Sequence, residues 1–341
     1  MKKFILLSIL FTAFQGFAQI PTGYYDDAEG LGGDVLRSTL QDIIDNHNSQ
    51  SYSSLWTHFL STDQKDNGEV WDMYSDNPDG PEPFVFEFGS DQCGNYGGEG
   101  DCYNREHSFP KSWFGDQSPM NTDLFHLYPT DGYTNGIRSN HPFGETDSPT
   151  YTSENGSKRG TSSVTGFVGT VFEPIDEYKG DFARTYFYMV TRYMDQVDGW
   201  SSFMLQEDDF SAWAIDMLLE WHSADPVSQK EIDRNNEVYD IQDNRNPFID
   251  DPAFVDLIWG EEPISVSETA VDDFNMWWNG ESVHFSTTVT NAQLVIYSTT
   301  GQLVNSKTVS GTQVANLNLG NGMYIIQLQT ETSFEVLRVV Q

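Results

Sequence analysis

Residues 103–140 of this 341-residue chain read YNREHSFPKSWFGDQSPMNTDLFHLYPTDGYTNGIRSN, and the side chains able to do chemistry crowd into that stretch. Glu106 and His107 are adjacent, His126 follows between Phe125 and Leu127, and Asn135, Arg138 and Asn140 close the run. A neutral histidine can take a proton from water, because its ordinary pKa is about 6.5. A carboxylate with one or two amide oxygens can hold a hard divalent cation and still leave positions for water and phosphate oxygens. On an extended segment neighbouring side chains point to opposite faces. Glu106 and His107 therefore suit two separate jobs, the carboxylate on a cation and the imidazole on an attacking water. Arg105, Lys111 and Arg138 supply positive charge of the kind that holds a phosphate. Each residue also has an ordinary reading: surface salt bridges for the cations, a hydrogen-bonded core position for His126, a plain turn for Asn135-Gly136.

Composition pulls the other way. The chain has 17 basic and 52 acidic residues and a formal net charge of -35. Such a balance predicts solubility and self-repulsion, and taken alone it argues against a general nucleic-acid binder, which normally carries basic patches. Chemistry on a polyanion would have to rest on a local site, a bound cation or screening by salt. The absence of an HExxH sequence argues against one large class of metallopeptidase. A non-catalytic binding or adhesive protein is the alternative that the acidic surface favours.

The elements that must position these residues can be read in part. Lys2 and Lys3 precede an apolar run from Phe4 to Phe14, with Gly16 and Ala18 placed for cleavage after Ala18. This reads as a secretory signal peptide over residues 1–18, since a span needs about 20 apolar residues. No later transmembrane segment is expected. Export makes a disulfide between Cys93 and Cys102, the two cysteines present, the favoured reading over a thiolate metal site. Apolar periodicity predicts a helix from Asp34, as its cap, to about His47, and a second over residues 51–60 capped by Ser51. WDMY at 71–74 and FVFEF at 84–88 read as strand or extended segments. Residues 89–160 show little periodicity, which in a segment so long points to function. A short hairpin is expected within 162–174, and helices over 181–194, from about Asp209, and over 227–244. Residues 261–275 form an acidic linker, and 276–341 read as short strands separated by Gly and Asn, with hairpin turns at Thr300-Gly301 and Asn321-Gly322.

The two blocks YNREHSFPKSWFG and DLFHLYPTDGYTNGIRSN resemble the signature of the bacterial endonuclease I family, nucleases of the ββα-metal (His-Me finger) class. GDFARTYFYMVTRY and NRNPFIDDP resemble its helical half, so the likeness covers roughly residues 22–260. The resemblance implies an α+β fold: a mainly helical catalytic domain, residues 19–260, carrying a ββα-metal finger, with a small all-β module behind it. It also implies a metal-dependent, sequence-non-specific endonuclease that cuts DNA, and RNA in many members, to leave 5′-phosphate ends. His107 then matches the general base, and Glu106 and Asn135 the ligands of a divalent metal, Mg²⁺ first with Ca²⁺ or Mn²⁺ as alternatives. The family arginine that holds the scissile phosphate sits in a loop missing here, because only residues 114–122 bridge the blocks. Arg138 is placed with His107 in the catalytic set, and Arg105, Lys111 and Arg184 are candidates for the phosphate. LVIYSTTGQLVNSK and LNLGNGMYIIQLQT resemble the C-terminal sorting domain of the type IX secretion system, which implies that machinery as a partner and a secreted, surface-associated product. A monomer is expected.

Overall fold

The computed structural model describes residues 20–260 and, beyond them, 276–279, 282–298, 303–315, 317, 319, 322–329 and 334–340. The signal-peptide expectation, the linker 261–275 and the Thr300-Gly301 turn lie outside the described residues. By contacts the chain divides after Glu261 into two units.

In the first unit, helices α1 (Gly33–Ile44) and α2 (Leu55–Thr62) precede strands β1 (Tyr103–His107) and β2 (Leu127–Asp131), which run directly into helix α3 (Gly132–Arg138). Strands β3 (Ser148–Thr152), β4 (Lys158–Thr161) and β5 (Thr170–Glu173) form an antiparallel sheet in that order. Helix α4 (Lys179–Arg192), the small β6 (Leu205–Gln206) and β7 (Asp209–Phe210) pair, and helices α5 (Ala212–Ala224), α6 (Gln229–Gln242), α7 (Pro247–Asp250) and α8 (Ala253–Trp259) complete it.

The unit is built around α4, every residue of which from Gly180 to Arg192 is buried. Its charged members are buried because they are paired, Arg184 with Glu231 and Asp181 with Lys230, and α1, α5 and α7 pack round it. Its tyrosines reach the strand pair in front: Tyr186 Oη donates to the Ser108 carbonyl at 2.8 Å, and Tyr128 Oη lies 2.6 Å from Thr185 Oγ1. Buried Asp123 gathers the hydroxyls of Tyr188 and Tyr193, each at 2.8 Å, with the amide of Gln242 from α6. Arg234, also on α6, pairs with Asp63 and donates to the carbonyls of Leu124 and Leu127. Charge-assisted bonds from a distant helix thus hold the approach to β2.

Several expectations need correction. The first helix is capped at Gly32, and Asp34 is its second residue, where its charge still favours the helix N-terminus. The second helix begins at Leu55, after a turn in which Ser51 Oγ accepts from the Ser54 amide. WDMY and FVFEF are not strands; around them only isolated bridges such as Glu69 with Glu87 form, in a stretch punctuated by prolines at 78, 81 and 83. The stretch 89–160 is not irregular, since it holds β1, β2, α3, β3 and β4. Of residues 162–174 only β5 is strand, paired to β4 rather than into a hairpin of its own.

The second unit is a β module as expected: β8 (Met276–Trp278), β9 (Ser282–Ser298), β10 (Leu303–Ala315), β11 (Met323–Gln329) and β12 (Phe334–Val340), in the order β10-β9-β11-β12 with β8 on β9. Strand β9 runs unbroken through the Thr-Asn run at 288–291 that reads as a break, with Asn291 at φ 53 taking up an irregularity opposite β10. Among the described residues no helix is long and apolar enough to cross a membrane.

Candidate active site

Strands β1 and β2 pair antiparallel with Glu106 opposite Tyr128 and His107 opposite Leu127, and Asp131 ends β2 by capping α3, its carboxylate accepting from the Thr134 amide at 2.7 Å. The result is a ββα unit. Helix α3 stops at Ser139, whose φ of 56 lies in the left-handed region. On its outer side the loop closed by the Cys93–Cys102 disulfide lays Tyr96 across the helix. A Cβ at Gly132 would stand 2.7 Å from the Tyr96 ring and one at Gly136 closer still, so both glycines are there for this close approach.

Glu106 and His107 face opposite ways, as alternation requires, and both are buried, at 2% and 6% exposure. Glu106 Oε1 accepts from Tyr74 Oη at 2.9 Å and lies 3.1 Å from Arg138 Nη1. Burial, the strongest influence, pushes the Glu106 pKa up, while Arg138 and the Tyr74 hydrogen bond pull against it. Asn135 Nδ2 donates to Asn104 Oδ1 at 2.7 Å, which turns the Asn135 carbonyl oxygen away from that bond. Asn104 and Glu106 are two residues apart on β1, and Asn135 and Arg138 three apart on α3, so one face of the strand meets one face of the helix.

On the opposite face, His107 Nε2 sits 3.0 Å from Asn121 Oδ1 and 3.2 Å from the Asn121 carbonyl. Both partners accept, so Nε2 carries the hydrogen and the lone pair is left on Nδ1. Burial, helped by nearby His126 and Lys111, drives the His107 pKa down to about 3, with the Asn121 bonds working the other way. The ring is therefore neutral near pH 7. Tyr52 stacks on it at 6.1 Å and 18°. Arg105, two residues earlier on the same side of β1, lies with its guanidinium 3.7 Å from the Tyr52 ring and 4.4 Å from Trp56, and donates to the Tyr52 carbonyl at 2.7 Å. Lys111 is exposed and pairs with Asp116 at 3.2 Å.

Two arginines stand elsewhere than expected. Arg138 is fully buried. It bonds the carbonyls of His107 and Ser108 as well as Glu106 and Tyr186, so it cannot touch a substrate and instead positions the end of β1. Arg184 is likewise fully buried on α4, forked onto Glu231 at 2.5 and 2.9 Å and onto the Asp225 carbonyl at 2.8 Å. No phosphate can reach it there. His126 Nε2 donates to the Met120 carbonyl, 2.7 Å away in the core, which is its ordinary structural reading. Tyr52, Tyr74, Asn104 and Asn121 were missed by sequence reasoning. Only Asn104, by its two-residue offset from Glu106, carried a signal that could have found it.

The donor set suits a hard divalent cation. Glu106 and Asn135 offer a carboxylate and an amide oxygen on one side of the ββα unit, with no thiol or imidazole among them. Among the described residues no group of three or more His, Cys, Asp or Glu side chains is placed to hold a metal. A two-oxygen set would leave most of the coordination to water and phosphate oxygens, as magnesium prefers.

A family model described as Endonuclease I matches residues 32–253, and one described as Secretion system C-terminal sorting domain matches residues 278–340. The chain is similar to an extracellular ribonuclease of Bacillus subtilis (strain 168), 35% identical over 247 residues that cover 69% of this chain and 78% of that protein. An extracellular ribonuclease of Bacillus amyloliquefaciens gives the same identity and coverage. Endonuclease-1 of Buchnera aphidicola subsp. Baizongia pistaciae is 29% identical over 166 residues, 48% of this chain and 58% of that protein.

Proposed function

The chain belongs to the endonuclease I family and carries a type IX secretion sorting domain, so it is a secreted nuclease, and from that premise we propose a metal-dependent endonuclease that hydrolyses DNA and RNA without sequence preference. RNA stands beside DNA because two similar proteins are named extracellular ribonucleases. The observation that carries the reading is the division of labour across β1, a neutral histidine on one face and an oxygen donor pair on the other.

Neutral His107 takes a proton at Nδ1 from a water whose oxygen attacks phosphorus. Asn121 fixes the tautomer and the ring plane, and Tyr52 covers one side of the ring. The new P–O bond forms as the bond to the 3′ oxygen breaks, leaving the phosphate on the 5′ end. Arg105, held in its aromatic clamp beside the base, is our choice for the phosphate-holding arginine, with exposed Lys111 as a second cation. Glu106 and Asn135 would hold the cation, with Mg²⁺ the best fit to a sparse oxygen set. When bound, such a cation neutralises charge on the phosphoryl and leaving oxygens. Arg138 keeps Glu106 and the His107 carbonyl in place without touching substrate.

A zymogram on DNA and on RNA, with chelator and after Mg²⁺, Mn²⁺ or Ca²⁺ is restored, tests the reading. Activity should vanish with chelator and return with Mg²⁺. His107→Ala should lose roughly 10²–10⁴-fold in rate while keeping the wild-type unfolding midpoint. Robust cleavage by His107→Ala, or cleavage indifferent to chelator, sinks it.

A further inference from the structure

Beside the ββα unit lies a groove of about 780 Å³. Its walls are the segment after β1, the segment after α3, and the loops around residues 167–170 and 200–203. Two of its walls continue directly from the ββα unit and the segment behind it, Ser112 following Lys111 and Asn140 coming two residues after Arg138. Asn140 Nδ2 lies 3.4 Å from Ser112 Oγ, and the Ser201 amide donates to the Trp113 carbonyl at 2.8 Å, tying the walls together.

Two features set the groove apart. In a chain with 52 acidic residues, none of the described residues lining it is Asp, Glu, Lys or Arg. It also carries the two most exposed large apolar side chains among the described residues, Val168 at 94% and Phe203 at 74%. Phe203 is presented on a held backbone: its carbonyl accepts from Trp213 Nε1 at 3.0 Å and Ser211 Oγ at 3.1 Å. Its ring lies 5.7 Å from Phe167, which itself stacks on Trp213 at 4.4 Å.

We propose that this groove takes unpaired nucleobases of the strand being cut, stacked on Phe203 and its neighbours, with the hydroxyl and amide groups of Ser112, Asn140 and Ser202 facing base edges. The inference rests on the nuclease reading and names its substrate class as single-stranded polynucleotide. The physical reason is charge. A molecule at -35 cannot gather a polyanion through a basic surface. Every base has an apolar face, and stacking on aromatics works without counterion release. Only unpaired bases expose that face, since a duplex hides it, and a duplex also brings twice the backbone charge per unit length. A carboxylate-free groove is where a single strand meets the least repulsion.

The test is binding of a fluorescent oligothymidylate to the full chain in chelator, where nothing is cut, against an abasic oligomer of equal length and charge. Oligothymidylate should bind about 10-fold or more tightly than the abasic probe, with quenching of tryptophan fluorescence because Trp113 and Trp200 line the groove. Phe203→Ala should bring oligothymidylate down to the abasic affinity, and Phe203→Tyr should retain the wild-type value. Equal affinity for the two probes, or an unaltered Phe203→Ala, overturns the proposal. So does failure to bind either probe while the metal-loaded protein still degrades oligothymidylate. A zymogram that fails, by contrast, removes the nuclease reading whatever the probes do.

Discussion

Arg138 offers the sharpest discrimination between a group that contacts substrate and one that builds the site. Its guanidinium is fully buried, 3.1 Å from Glu106, 2.9 Å from the His107 carbonyl and 3.2 Å from Tyr186 Oη, with Phe143 4.7 Å away across its plane. Arg138→Met removes the charge and keeps most of the volume. It leaves Glu106 buried without its cation and takes one donor each from the carbonyls of His107 and Ser108, the second of which keeps Tyr186 Oη. Deleting one partner of a buried pair costs about 3–5 kcal/mol. At a slope of roughly 2–3 kcal/mol per molar urea, that lowers the unfolding midpoint by roughly 1–2.5 M. The measurement is made in chelator, so that no bound cation adds stability of its own. Glu106→Gln in the same chain removes the stranded charge, so the double variant should recover part of the loss, a coupling that a cycle reads directly. If Arg138→Met keeps the wild-type midpoint and loses only turnover, then Arg138 acts on the substrate and the positioning role assigned to it is wrong.

Three further outcomes follow from the same geometry. Arg105→Ala should lower kcat/KM by roughly 10–100-fold, the worth of a charge-assisted hydrogen bond to phosphate, while Arg184→Met should act on stability instead; equal effects of the two on both readouts would remove Arg105 from the site. Burial lifts Asp72 from 3.8 to about 7, so the folded form holds its proton more tightly than the unfolded chain. Its contribution is full below about pH 4 and is lost as pH rises through 7, at most about 4 kcal/mol; unfolding midpoints at pH 5 and pH 8 should converge in Asp72→Asn, and an unchanged difference would exonerate the group. Replacing Cys93 and Cys102 together by serine should cost about 2–3 kcal/mol for the loop they close, read by denaturation of the oxidised wild type against the variant; identical midpoints would mean that Tyr96 packing on α3 orders the loop alone.

What the sequence determined by itself was local. Adjacent Glu106 and His107 must diverge if the segment is extended, because side chains alternate along any strand, and no distant residue is needed to say so. The helix periods at α1, α4, α5 and α6 are local in the same sense, and so is the nine-residue spacing that let Cys93 and Cys102 pair. The β character of the C-terminal module follows from its alternating short apolar runs. The failures were at positions whose state depends on what lies across the chain. WDMY and FVFEF have strand composition but meet no partner edge; WDMY makes no β-bridge, and FVFEF makes an isolated one at Glu87. The ββα unit was invisible to periodicity because β1, β2 and α3 hold only five to seven residues each, too few for a pattern.

The arginines show the limit most clearly. In the sequence Arg105, Arg138 and Arg184 are equivalent positive charges, each fit to hold a phosphate. The tertiary structure separates them. Arg184 meets Glu231, 47 residues away, in the core. Arg138 turns inward because α3 packs on β1 and Tyr186 waits behind them. Arg105 alone of the three stays half-buried at the surface, in an aromatic clamp made by residues some fifty positions earlier. A charge is free to serve a ligand only if no buried carboxylate or carbonyl needs it more, and that competition is decided by packing between segments far apart in the chain, which residue type and spacing do not record.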